Sequence, residues 1–240
     1  MVIHTTLAVR DPHPDYATAK AGDKAAALAL SQDLMDRAAI DQLRELVLAD
    51  LPILLPITAL EVTGFNAIPD AMAELLAEEL GWRLSSGDIV QSNRVGHTRA
   101  PAFNRLVTPA AFEGPVVDGA DYVLVDDHVG LGGTLANLKG HIETHGGRVI
   151  AMTTLTESRE ARHIALQRDV LDVLRERHGE ALENLWRDQF GHGLDCLTNV
   201  EGGVLRREQS IESIRARLAQ AAIEARERGL APRIDSDGPT

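Results

Sequence analysis

The sequence predicts an α/β fold with a mainly parallel central sheet flanked by helices, and mostly helical additions at both ends. Residues 51–60 and 122–125 are short apolar runs of the kind found in strands buried on both faces. A helical pattern lies between them, and a further helix and strand follow. This alternation of strands and helices is typical of a parallel sheet.

The first half of the chain adds helices before and after the first central strand. Residues 2–9 begin with a possible strand. Residues 20–50 carry apolar side chains at helical spacing, as two helices or one broken helix, with Asp23 as a plausible N-cap. After the strand at 51–60, Asp70 is expected to cap a helix that runs to Leu80 and stops at a glycine.

The middle of the chain contains the second central strand. Residues 91–119 are predicted to be irregular, and they carry basic side chains at Arg94, His97, Arg99 and Arg105. The strand at 122–125 follows. A helix is expected from Thr134 to about His145, and residues 149–154 read as the next strand.

The last 80 residues differ in character from the core. Residues 157–178 and 210–229 are charged, amphipathic helical segments, and residues 186–204 are rich in loop-forming residues. An apolar stripe in 210–229 is a candidate dimer interface. We therefore expect a core at 1–155 that includes an N-terminal helical segment, followed by a C-terminal helical extension at 156–232 that contributes to a hood over the site. Residues 233–240 are expected to be a disordered tail.

The composition of the chain argues against some classes of partner and indicates a cellular compartment. The chain has 240 residues, 44% hydrophobic content and a formal net charge of −12. An acidic surface argues against nucleic acid and acidic membranes as partners. One cysteine fits a reducing compartment. No signal segment and no membrane-length apolar run is evident, so we expect a cytoplasmic protein.

The most informative segment reads YVLVDDHVGLGGTL, from Tyr122 to Leu135. Asp126 and Asp127 are expected at the carboxyl end of the strand, where open α/β sheets bind ligands. Their carboxylates can accept hydrogen bonds from a sugar diol or help hold a divalent cation. The glycine loop and the helix N-terminus after it suit a phosphate. The bland alternative is a solvated acid pair followed by an ordinary turn.

This segment resembles the phosphoribosyl diphosphate (PRPP) binding motif of type I phosphoribosyltransferases. In that motif two acids precede a short loop and a closing Thr or Ser. The resemblance assigns catalytic roles to Asp126 and Asp127. It assigns the 5′-phosphate to Gly130, Leu131, Gly132, Gly133 and Thr134. Family members usually carry hydroxyl residues where this chain has Gly130 and Leu131, so side-chain contacts to phosphate would be lost.

The family resemblance covers about residues 51–155. Within it, residues 55–81 resemble the diphosphate-binding strand, loop and helix of the family, and Gly64, Phe65 and Asn66 are most similar to the ComF branch. It implies diphosphate binding at Thr58, Ala59, Leu60 and Glu61. It also implies a mobile loop that carries Arg94, His97, Arg99 and Arg105. The alternative for residues 58–61 is a plain connection between elements, and the alternative for residues 94–105 is a solvated loop. The chain lacks the zinc-binding cysteines of ComF proteins, which places it among orphan type I phosphoribosyltransferase-like proteins.

The resemblance implies transfer of phosphoribose from PRPP to a nucleobase or related heterocycle, with release of diphosphate. It implies Mg²⁺ at Asp126 and Asp127, bound either directly or only through PRPP. The expected partners are PRPP, a small-molecule base and a second copy of the chain. The base would meet a hood built either from the amino-terminal residues or from the 186–204 loop. Two alternatives remain, a non-catalytic sensor of PRPP or a nucleotide, and a ComF-like accessory of DNA uptake. We expect Asp127→Asn to lower affinity for PRPP at least about tenfold with little loss of stability.

Overall fold

The computed structural model describes residues 1–49, 51–57, 60–61, 64–85, 87–93, 95, 100–158, 161 and 163–233. The chain forms two compact units. Unit 1 comprises Met1–Arg94, Ala111–Gly130 and Asn137–Arg162. Unit 2 comprises Val95–Ala110, Leu131–Ala136 and His163–Thr240. Most of the predicted C-terminal extension is therefore in unit 2, and apart from Arg233 the predicted tail lies outside the described residues.

The strands range in length from two residues to ten, and the α-helices from four to 23. The strands are β1 (Val2–Ile3), β2 (Ile53–Pro56), β3 (Leu60–Glu61), β4 (Gly64–Phe65), β5 (Arg83–Leu84), β6 (Val90–Gln91), β7 (Phe112–Glu113), β8 (Asp121–Val129) and β9 (Arg148–Glu157). The helices are α1 (Leu7–Arg10), α2 (Tyr16–Lys20), α3 (Lys24–Leu34), α4 (Arg37–Leu46), α5 (Ile68–Leu80), α6 (Ala102–Val107), α7 (Gly133–Thr144), α8 (Arg168–Phe190), α9 (Asn199–Arg206) and α10 (Ile211–Glu227). A short 3-10 helix spans Leu194–Cys196.

Unit 1 is built on a five-stranded sheet in the order β1-β9-β8-β2-β5, and each neighbouring pair is parallel. Leu54 on β2 pairs with Val123 on β8, and both are fully buried. These strands share a hydrophobic core with α3, α4 and α5. The predicted fold class, a mainly parallel sheet flanked by helices, is confirmed.

The helices of unit 1 begin and end for local reasons, some of them predicted. Asp23 caps α3 by accepting from the Ala26 amide, as expected. Gly81 ends α5 with φ of 70°, a conformation that glycine adopts without strain. The predicted N-cap Asp70 is wrong, because α5 begins at Ile68. There the Asn66 side chain accepts from the Ile68 amide.

Unit 2 has a core of its own, in which α10 packs along α6. The apolar stripe of α10 lies in this core, and Ile214, Leu218 and Ala222 are buried. The proposed dimer interface along this stripe is therefore wrong, because the stripe is already covered within the chain. A homodimer stays a prediction without an assigned surface. In the described ranges no helix is long and apolar enough to cross a membrane.

The role of this stripe can be tested by two alanine substitutions on α10. Leu218 is 1% exposed and Ile223 is 45% exposed. We expect Leu218→Ala to lower the free energy of unfolding by about 2–5 kcal/mol, because it leaves a cavity in a packed core. Ile223→Ala should change it by no more than about 0.5 kcal/mol. Denaturant unfolding of both variants checks this, and equal effects would contradict the packing described.

Candidate functional site

The acid pair lies inside β8 and not beyond its end. Asp126 pairs with Thr154 of β9, and the ladder continues through His128 opposite Thr156. The predicted strand ended at Val125, whereas β8 runs to Val129 because β9 is long enough to pair with it. Both acids are buried, at 9% and 5% exposure. They still lie in the carboxyl-terminal half of a central parallel strand.

A lysine from the N-terminal segment neutralises one of the two acids. Lys20 Nζ donates to Asp127 Oδ2 at 2.9 Å, and the two side chains are 21% and 7% exposed. Lys20 is the last residue of α2, and the turn after it packs closely on the core. A Cβ added at Gly22 would lie 2.8 Å from the Phe65 carbonyl oxygen. The N-terminal residues, one of two predicted hoods, therefore contact the acid pair.

The surroundings shift the pKa values of the two carboxyl groups in opposite directions. Burial, and then the charge of Asp127, raise the pKa of Asp126 well above its ordinary value. Burial also pushes the pKa of Asp127 upward, but the ammonium of Lys20, with help from Arg10 and His128, brings it below its ordinary value. Asp127 therefore carries the negative charge, and the Asp126 environment favours a neutral carboxyl. The Asp126 Oδ1 atom accepts from the Asp127 amide at 2.8 Å.

A buried hydroxyl connects the acid pair to its surroundings. Thr156 Oγ1 accepts from Arg10 Nη1 at 2.8 Å and donates to the Asp127 carbonyl oxygen at 3.3 Å. His128 Nδ1 lies 2.9 Å from the same hydroxyl. The Arg10 guanidinium also lies over the Tyr16 ring, 4.4 Å from its centroid. These contacts hold the N-terminal segment and β9 around the acids.

The glycine loop is packed against residues of the C-terminal extension, all within unit 2. Gly132 has φ of 85°, and a Cβ there would lie 2.7 Å from Ile164 Cδ1. Thr198 Oγ1 donates to the Leu131 carbonyl oxygen at 2.6 Å. Helix α7 begins at Gly133, one residue before the predicted Thr134. The second predicted hood, 186–204, therefore contacts this loop through Thr198.

A carboxyl group lies against the first residue of α7. A Cβ added at Gly133 would lie 2.6 Å from Glu201 Oε1. Glu201 and Thr198 form a capping box at the start of α9, in which Glu201 Oε2 accepts from the Thr198 amide at 2.9 Å. Burial raises the pKa of Glu201, while the Thr198 hydrogen bonds and the charge of Arg105 oppose the rise.

The other predicted site segments are only partly described. Thr58 and Ala59 of the predicted diphosphate loop lie outside the described residues, and Leu60–Glu61 form β3, antiparallel to β4. Arg94, His97 and Arg99 also lie outside them. Arg105 belongs to α6, which corrects the expectation that 91–119 is irregular throughout. Next to it, Asn104 Nδ2 donates to Glu224 Oε2 at 2.8 Å.

The acid pair as arranged does not fit a directly bound Mg²⁺. Asp127 is paired with Lys20, and burial disfavours the charged form of Asp126. Among the described residues, no group of three or more His, Cys, Asp or Glu side chains has the geometry of a metal site. We therefore assign no metal ligand within the part of the chain that the structure describes.

Unit 2 also contains a cavity of about 460 Å³ that the sequence did not indicate. Phe103 and Val204 supply apolar wall, and the buried Glu208 carboxylate lies at its edge. Glu208 is fully engaged, because Ser213 Oγ donates to one oxygen at 2.5 Å and Arg217 Nε to the other at 3.1 Å. Because Glu208 is already paired, its charge does not by itself select a ligand.

Sequence reasoning missed Lys20, Arg10 and Glu201. Only Glu201 had a local signal, because Thr198 followed three residues later by Glu is the pattern of a capping box. That pattern marks a helix start and not a contact with a distant loop. Lys20 and Arg10 carry no sequence signal that connects them to residues more than one hundred positions away.

Two curated proteins are similar to the chain in sequence, and no protein-family model matches it. "Protein TraN" of Escherichia coli is 41% identical over 212 residues, which are 88% of this chain and 47% of that protein. An uncharacterized protein of Haemophilus influenzae is 37% identical over 141 residues, 59% of this chain and 31% of that protein. The chain thus spans half or less of these relatives. Neither is described as a ComF protein.

Several solved structures overlap the chain in part. The adenine phosphoribosyltransferase of Thermoanaerobacter pseudethanolicus has a TM-score of 0.33 at 20% identity, covering 54% of this chain and 73% of that one. That of Rhodothermus marinus scores 0.36 at 17%, covering 52% and 69%. The UMP synthase of Leishmania donovani scores 0.34 at 16%, covering 82% and 33%. Because these TM-scores are below 0.5, the overlaps do not establish an activity.

The ion pair of Lys20 and Asp127 corrects the expectation that Asp127→Asn is harmless to stability. We expect this variant to lower the free energy of unfolding by about 1.5–3 kcal/mol, because it removes the buried negative charge with which the Lys20 ammonium pairs. In a double-mutant cycle with Lys20→Met, the second substitution should recover part of the loss. Strictly additive effects in denaturant unfolding would show that the pair does not interact.

The raised pKa of Asp126 predicts a pH dependence with a definite sign. The folded state holds this proton more tightly than the unfolded state, so stability falls as pH rises from the ordinary value of 3.8 towards the raised value. Asp126→Asn keeps an oxygen for the Asp127 amide and should remove this fall. Its stability relative to the parent should therefore increase with pH across that window.

Urea unfolding of both proteins at a series of pH values measures this difference. Two charged groups shift the pKa of Asp126: Asp127 raises it and Lys20 lowers it. The lowered pKa of Asp127 makes stability fall only below 3.8, as pH drops, so the two effects lie on opposite sides of that value. A stability difference that does not vary above pH 3.8 would contradict the assignment to Asp126.

Proposed function

We propose that the chain is a phosphoribosyltransferase that binds PRPP and transfers its phosphoribose to a nucleobase or related heterocycle. The observation that carries the proposal is the order of one continuous segment, in which an acid pair in a central parallel strand is followed by a glycine loop and a helix. Parallel sheets bind ligands at the carboxyl ends of their strands. The helix N-terminus suits the phosphate of a phosphorylated sugar.

The two acids have different roles in the proposed reaction. The bond from C1′ of the ribose to diphosphate breaks, the diphosphate leaves with the electron pair, and a nitrogen of the base forms the new bond to C1′. Positive charge develops at the sugar, and an ionised carboxylate near it is stabilising. Asp127 is the ionised member, and Asp126 supports it through the hydrogen bond to its amide.

Lys20 is part of the proposed site as well. Its ammonium pairs with Asp127 and keeps this buried carboxyl group ionised. Mg²⁺ belongs to the proposal only as an ion brought in by the diphosphate, since hard oxygens of phosphates are its usual ligands. A cytoplasmic location and a homodimer complete the proposal.

A second candidate is a sensor that binds PRPP or a nucleotide without chemistry. It is favoured by the loop itself, which lacks hydroxyls at Gly130 and Leu131. Moreover, the Leu131 carbonyl is engaged by Thr198. A ComF-like role in DNA uptake has less support, because the net charge of −12 opposes contact with DNA. Salt-dependent retention of DNA would be needed to revive it.

The proposal is tested by adding PRPP, with and without Mg²⁺, to the full chain. We expect a rise in Tm and, with a panel of nucleobases, repeated release of diphosphate. Asp127→Asn should weaken PRPP binding at least about tenfold in calorimetry. Asp121→Asn is the matched control, because Asp121 opens the same strand and pairs with the exposed Arg148.

The outcomes separate the candidates. Repeated diphosphate release eliminates the sensor. Tight binding of PRPP without release under any base favours the sensor over the enzyme. Absence of any PRPP effect on Tm or in calorimetry would sink both, and equal losses in Asp127→Asn and Asp121→Asn would show that the acid pair has no particular role.

A further inference from the structure

We propose that Glu201 is an affinity-determining residue whose carboxyl group competes with phosphate for the glycine loop. The inference rests on the proposed function, since it concerns the phosphate half of that site. It is drawn within unit 2, which contains Leu131–Ala136, the residues of α6 and the whole of α9.

The carboxyl group of Glu201 lies in the space that the loop leaves open. Glu201 Oε1 lies close to the start of α7, and a Cβ added at Gly133 would come within 2.6 Å of it. Helix α7 has 12 residues, so unpaired N–H groups and a positive dipole end face this region. A carboxylate is favoured there for the same reason as a phosphate oxygen.

A basic side chain acts on the same carboxyl group. The charge of Arg105, one of the predicted lid residues, opposes the rise in the pKa of Glu201. Arg105 and the helix N-terminus thus provide positive potential from two separate elements, α6 and α7. The Glu201 carboxyl group lies beside the start of α7, and within α9 it serves only as the cap partner of Thr198.

The neighbouring contacts keep Glu201 in this position. Thr198 caps α9 and donates to the Leu131 carbonyl, so the start of α9 is tied to the loop by one hydrogen bond. A ligand phosphate would have to displace the Glu201 carboxylate while Arg105 remains. An internal competitor that occupies a site in about nine molecules of ten weakens binding about tenfold.

Inorganic phosphate is the probe, used on the full chain with Glu201→Gln. Gln keeps the capping hydrogen bond to the Thr198 amide but removes the charge. We expect phosphate to bind Glu201→Gln at least about tenfold more tightly than the parent. We also expect phosphate to slow hydrogen exchange in residues 131–136 of the variant. Adding Arg105→Gln to this variant should reverse most of the gain.

Glu212→Gln is the matched control, because Glu212 lies in the first turn of α10 behind the Ser210 cap and away from any glycine loop. It should leave phosphate affinity unchanged. Circular dichroism and unfolding curves establish that each variant is folded. Equal phosphate affinity in the parent and Glu201→Gln would overturn the inference, and so would a failure of folded Glu201→Gln to bind phosphate.

The two proposals fail in different ways. If PRPP binds the parent through Asp127 but Glu201→Gln changes nothing, the competing role of Glu201 is lost and the proposed function stands. If Glu201→Gln gains phosphate affinity but neither protein binds PRPP, the loop is an anion site gated by Glu201 and the proposed function falls.

Discussion

The burial of two adjacent carboxyl groups in a central strand is the constraint on which the rest of unit 1 depends. A single carboxylate taken from water into a protein interior is costly, and a second beside it is costlier still. The structure meets this cost in two ways, by an ion pair for Asp127 and by an environment that favours the neutral form of Asp126. The N-terminal helices are positioned accordingly, because Lys20 must reach β8.

The glycine loop presents the opposite electrostatic problem, because here partial positive charge at a helix start needs a negative partner. The start of a helix exposes partial positive charge, and an unoccupied loop there would leave N–H groups without acceptors. In unit 2 the Glu201 carboxyl group of α9 lies against Gly133, the first residue of α7. Lys20 at the acid pair and Glu201 at the loop are the charged groups that a phosphorylated sugar would have to displace. Asp127 is thus paired within the chain, and the Glu201 carboxyl group lies against the first residue of α7.

The sequence was sufficient for the features that depend on local pattern. Residues 122–125 are apolar because β8 is covered on both faces, and the stop of α5 at Gly81 follows from a residue that tolerates positive φ. The extension of β8 through Asp126 and Asp127 was not predictable in this way. Charged residues are rare in buried strands, and only pairing with a long β9 and an ion pair to Lys20 make them acceptable there.

The apolar stripe of α10 shows where pattern reasoning ends. Periodicity indicates that one face of a helix is covered, but it does not identify the covering element. Here that element is α6, which lies in a segment without clear periodicity. The same limit applied to Glu201, whose spacing from Thr198 indicates a cap and nothing more. Contacts between residues remote in sequence decide whether a motif is available to a ligand. In this chain such contacts give the glycine loop and the acid pair partners of their own, Thr198 and Lys20.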